Sequence, residues 1–98
     1  KPDMVIMGEI TWYILEKLDA FIDFFKKNLP QAYLVHLLNI YPPDVQKYGN
    51  KKFTNLKEIL SYFHANYLEY GEINYQGEHE AIRTYFIGNY FNDYNKKH

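Results

Sequence analysis

A chain of 98 residues has room for one hydrophobic core and not for two. Its 11 basic side chains against 12 acidic ones leave a net charge of -1, and Arg83 is the only arginine. A nucleic-acid binder would carry a basic face with guanidinium groups for phosphates and guanine edges, so that class is not expected. These residues contain no cysteine, which excludes disulfides, thiolate metal sites and a cysteine nucleophile among them. No apolar run approaches the ~20 residues that a membrane-spanning helix needs, so no membrane partner is expected. No basic-then-apolar leader marks export, and the expected location is the cytoplasm.

Asp3-Met4-Val5-Ile6-Met7-Gly8 is a continuous apolar run ended by glycine, the pattern of a strand buried on both faces. From Leu15 to Leu29 the apolar residues Leu15, Leu18, Phe21, Ile22, Phe25 and Leu29 step by three and four, which predicts a helix that Pro30 stops. Ala32–Tyr41 predicts a second strand, closed by Pro42-Pro43. Strand, helix and strand joined this tightly make a βαβ unit with parallel strands. Pro42 to Thr54 is a polar loop. Asn55 and Glu58 have capping-box spacing and open a second helix that runs to about Asn66. Tyr67–Tyr75 and Ala81–Phe91, separated by Gly77-Glu78-His79-Glu80, predict an antiparallel hairpin, and Asn92–His98 a frayed polar tail.

A strand buried on both faces needs neighbours on both edges, and the βαβ unit supplies the first strand with one. Either the hairpin closes the other edge or something outside this sequence does. A chain that opens directly into its most apolar strand is expected to follow residues that preceded it.

Chemical motifs are few. His36, His64, His79 and His98 lack the spacing of a helical metal pair, and no metal is expected. His36, inside the second strand, reads first as a hydrogen-bonded core histidine and second as a catalytic one. No phosphate-cradling glycine motif and no nucleophile elbow is present. The informative stretch is Gly8-Glu9-Ile10-Thr11-Trp12-Tyr13, at the carboxyl end of a parallel strand, where open α/β sheets bind ligands. Glu9 offers a hydrogen-bond acceptor, and Trp12 and Tyr13 offer either flat walls or packing under the first helix.

The stretch from Pro2 to Leu15 resembles the fourth strand and following loop of class I S-adenosylmethionine-dependent methyltransferases that act on small molecules. Leu18 to Pro30 is similar to their next helix and Ala32–Tyr41 to their fifth strand. Gln46-Lys47-Tyr48-Gly49, Phe53-Thr54-Asn55-Leu56 and Tyr62-Phe63 are similar to the loop and helix before the terminal hairpin of strands six and seven. The resemblance implies an α/β fold: a partial Rossmann-like sheet of family strands four, five, seven and six, with residues 1–98 forming one partial domain, the carboxyl-terminal half. The family's order of three, two, one, four, five, seven, six would set Met4–Met7 beside an absent strand one.

By the same resemblance the cofactor is S-adenosylmethionine, with Gly8, Glu9 and Ile10 at its methionine end. Trp12, Tyr13, Tyr41 and Tyr48 would adjoin a small-molecule methyl acceptor. Glu9, Tyr13 and His36, in that order, are the candidate catalytic or acceptor-binding groups. The glycine-rich loop, the ribose-binding acid and the adenine-contacting segment have no counterpart here, so the chain alone is expected to be inactive. Its expected partner at the first strand is the absent amino-terminal half or a second copy of the chain. The alternative is a non-catalytic half-domain that works as an oligomerisation or interaction module through that strand.

Overall fold

The computed structural model describes residues 3–41, 53–74 and 81–91. They form β1 (Met4–Gly8), α1 (Leu18–Asn28), β2 (Tyr33–Ile40), α2 (Leu56–Phe63), β3 (Asn66–Asn74) and β4 (Ile82–Asn89), with short 3-10 turns at Thr11–Tyr13 and Leu15–Lys17. The fold is mixed α/β, with one four-stranded sheet in the order β1-β2-β4-β3. β1 runs parallel to β2, and β4 is antiparallel to both β2 and β3. The βαβ unit and the hairpin are thus present, and the hairpin's second arm lies against β2. No helix among the described residues is long and apolar enough to cross a membrane.

Local chemistry accounts for most element boundaries. The α-helical part of the first helix starts at Leu18 and not at Leu15, because Lys17 at its N-cap offers no side-chain acceptor and the preceding turn tightens to 3-10. Asp19 sits in its first turn and Lys26 and Lys27 in its last, each at the favourable end of the helix dipole. At α2, Asn55 Oδ1 accepts from the Glu58 N–H at 2.9 Å. The return arm closes on Thr54, whose N–H and hydroxyl donate to Glu58 Oε1 at 2.6 and 2.7 Å. These bonds, the Thr54 hydroxyl first, hold the Glu58 carboxyl below its ordinary pKa.

α2 ends at Phe63, short of the expected Asn66, because His64 takes the left-handed conformation (φ 52°) and donates its N–H to Leu60 O at 3.0 Å. Two tyrosine hydroxyls from the hairpin complete that end. Tyr67 adds a second bond to Leu60 O at 2.5 Å, and Tyr90 donates to Phe63 O at 2.7 Å, in the last turn where helix carbonyls run out of backbone donors.

The core lies on one face of the sheet. Met7, Leu34, His36, Leu38, Ile40, Thr84 and Phe86 are buried there, with Leu18, Ile22 and Phe25 of α1 and Ile59 and Phe63 of α2 in the same region. Register explains the selection: Met7 pairs with His36 and His36 with Phe86, so alternate residues share this face. The opposite face carries Met4, Ile6, Tyr33, Leu37 and Ile73, all exposed, with Ile6 and Ile73 at 63%. β1 therefore departs from the expectation of a strand buried on both faces. It is an edge strand here, and both helices cover the face that Met7 points into. The expected loop around Tyr48, the hairpin tip and the polar tail lie outside the described residues.

Candidate functional site

The carboxyl end of β1 is shaped by one unusual backbone conformation. Glu9 has φ 63°, a left-handed geometry that costs a residue with a Cβ about 1–2 kcal/mol. Its N–H still donates to Leu37 O at 2.9 Å, so the parallel ladder reaches this residue. In a continued ladder the Glu9 carbonyl would next serve β2. Instead the Glu9 carboxylate folds back, and Oε1 accepts from the Asn39 N–H at 3.0 Å. The side chain thereby ends the strand and fixes one carboxylate oxygen of an exposed residue.

Immediately after, the chain dives into the core. Thr11 is fully buried, and its Oγ1 lies 2.6 Å from His36 Nε2. The His36 ring stacks on Phe86 (centroids 4.9 Å apart) and contacts Phe63 (4.7 Å). His36 Nδ1 has no partner. We assign the ring proton to Nε2, donating to Thr11, because this leaves a bare lone pair in the core and not an orphaned N–H. Burial pushes the His36 pKa down from 6.5 to about 3, so the ring is neutral at physiological pH.

Glu9 and His36 therefore do not form one cluster. His36 faces the covered side of the sheet and pins the Thr11–Tyr13 turn to it, the placement of a hydrogen-bonded core histidine. Gly8 and Ile10 flank Glu9, and both are exposed. Tyr13 is 75% exposed and stands clear of the core, Trp12 occupies the middle of its 3-10 turn, and Tyr41 is half-buried just past β2. Tyr48 lies outside the described residues.

What Glu9 does join is a groove on the uncovered face, with Leu37, Asn39, Ile73, Arg83 and Tyr85. Pattern alone missed these residues. Alternation along β4 puts Arg83, Tyr85 and Ile87 on one face, but only the pairing of β4 with β2 brings Arg83 opposite Asn39 and Tyr85 opposite Leu37. Among the described residues, no group of three or more histidine, aspartate or glutamate side chains is arranged to hold a metal ion. No protein-family model matches the chain, and no curated protein or solved structure does so either.

Proposed function

We propose that this chain is the carboxyl-terminal part of an S-adenosylmethionine-dependent methyltransferase that acts on a small molecule. The observation that carries the reading is the sheet: a parallel pair, then an antiparallel strand inserted before the strand that precedes it in the chain. That order corresponds to strands four, five, seven and six of the family the sequence resembles. In that arrangement the outer edge of β1 would take strand one, and helices of the absent half would cover Met4, Ile6 and Leu37. The exposure of these residues supports the reading.

The residues at the end of β1 suit the methionine end of the cofactor. Nothing stands within 4 Å of where a Gly8 Cβ would lie, and the adjoining Glu9 is exposed, with one carboxylate oxygen held by the Asn39 N–H. The bound cofactor supplies the electrophilic methyl group. The chain's part is to hold the acceptor in line with it and to exclude water, with Glu9 the leading candidate to take a proton from the acceptor. Tyr13 is the second candidate and His36 the third. The depressed pKa and full burial of His36 fit a role through Thr11 in positioning the turn, without contact to the acceptor.

Calorimetric titration with S-adenosylhomocysteine tests the proposal, on this chain and on one extended upstream. Binding by the extended chain alone is the expected result, and binding by neither removes the methyltransferase reading. The open β1 edge and exposed Ile6 also favour a second reading, a non-catalytic module that pairs with another copy of itself. It predicts a stable oligomer in light scattering, and a monomer at high concentration excludes it.

A further inference from the structure

The segment that leaves β1 is fastened to β2 at His36, Leu37 and Asn39, and two of these fastenings belong to Glu9. Its N–H donates to Leu37 O at 2.9 Å, and its carboxylate accepts from the Asn39 N–H at 3.0 Å. The third lies on the covered side of the sheet, where His36 Nε2 donates to Thr11 Oγ1 at 2.6 Å. Between them Ile10 is 43% exposed, while the polar Thr11 is fully buried. An apolar residue held at the surface beside a polar one held in the core marks a loop shaped by specific bonds and not by hydrophobic burial.

These bonds differ in what breaking them costs. Glu9 is exposed, so its carboxylate can exchange the Asn39 N–H for water. The bond between Thr11 and His36 has no such remedy. Both residues are fully buried, and the ring lies against Phe63 and Phe86, so a donor and an acceptor would be stranded together. The left-handed backbone of Glu9 is strained, and such strain persists only where the surroundings over-determine it. A bond that water replaces is the lesser hold on that conformation, and the buried anchor two residues further on is the greater.

We propose that Thr11 is the positioning residue of the loop at the end of β1: held by His36, it keeps Glu9 left-handed and the Glu9 carboxylate on the Asn39 N–H. Thr11 itself, fully buried, touches no ligand. Resting on the methyltransferase reading, Thr11 sets from inside the core the geometry that Gly8, Glu9 and Ile10 present to the cofactor and acceptor.

The test compares Thr11→Ser, which keeps the hydroxyl, with Thr11→Val, which keeps the shape. The double variant Thr11→Val/His36→Phe removes both polar groups, so the anchor is lost with nothing stranded in the core, and it carries the test if Thr11→Val fails to fold. Two NMR signals of the 98-residue chain report on Glu9: the strong intraresidue amide–Hα NOE that a positive φ gives, and the hydrogen-exchange protection of the Asn39 amide. Thr11→Ser is expected to keep both. Thr11→Val and the double variant are expected to lose the NOE and about tenfold or more of the Asn39 protection, with the amides of Leu34 and Phe86 still protected. A folded double variant that keeps both signals, or equal losses in Thr11→Ser, overturns the proposal. In the extended chain Thr11→Val is expected to weaken S-adenosylhomocysteine by about tenfold or more and Thr11→Ser by less than about threefold, and equal binding by both overturns it as well. Failure of the unaltered extended chain to bind would remove the methyltransferase reading and leave the coupling of Thr11 to Glu9 standing.

Discussion

At the scale of single residues, His36 makes the stability of this chain depend on pH. The folded chain keeps the ring neutral down to about pH 3, whereas the unfolded chain protonates it near 6.5. Between those values the unfolded state binds the extra proton, so stability is complete above pH 6.5 and falls as pH falls through the window. The slope is at most about 1.4 kcal/mol per pH unit. From pH 7 to pH 5 the loss should approach 2 kcal/mol, before most carboxylates titrate. His36→Phe keeps an aromatic plate between Phe63 and Phe86, gives up the Thr11 bond at a cost of about 1 kcal/mol, and should flatten the dependence. Urea unfolding of both proteins at pH 7 and pH 5 checks this, and equal losses in the two would acquit His36. Its burial was legible from its position within a continuous apolar run. Its partner was not, because Thr11 reaches it only after the backbone reverses at Glu9.

At the scale of elements, the local rules held where the controlling groups are neighbours in sequence. The Asn55 cap and the amphipathic stripe of α1 depend on residues a turn apart, and both were readable. The 3-10 entry to α1 and the early end of α2 were not, since they depend on a missing acceptor at Lys17 and on tyrosines that arrive from the hairpin. Gly88 shows the same limit. Strand alternation puts it on the face of Ile82, Thr84 and Phe86, but its reason for being glycine lies in β3: an added Cβ would stand 2.7 Å from the Asn66 carbonyl oxygen, beside the bulge that leaves Leu68 without a register partner. Backbone there moves only if the bulge moves, so Gly88→Ala should cost about 1–3 kcal/mol. Gly71→Ala meets the edge of the Tyr85 ring instead, which can swing towards the open groove, and should cost less. Thermal unfolding of the two variants side by side gives the order, and the reverse order would mean that the β3–β4 register differs from the one described.

At the scale of the molecule, the described residues bury one side of the sheet and leave the other exposed, and β1 carries the difference in two adjacent residues. Met7 is 1% exposed and packs into the core, whereas Ile6 is 63% exposed on the other face. An unbroken run of apolar letters cannot separate them. The run reads as uniformly buried because its composition suits a sheet covered on both sides, and the described helices cover only one. The two residues should therefore respond in opposite ways. In the 98-residue chain, Met7→Ala removes core atoms and should cost about 2–5 kcal/mol, while Ile6→Lys should change stability by no more than about 0.5 kcal/mol. On the methyltransferase reading, the same lysine in a chain extended upstream would lie beneath further helices, and the penalty for burying an unpaired charge should appear. Denaturant unfolding of Ile6→Lys in both lengths reads this directly. A large penalty already present in the short chain would mean that its uncovered face is occupied in solution. If the penalty also grew with protein concentration, it would identify the occupant as a second copy of the chain.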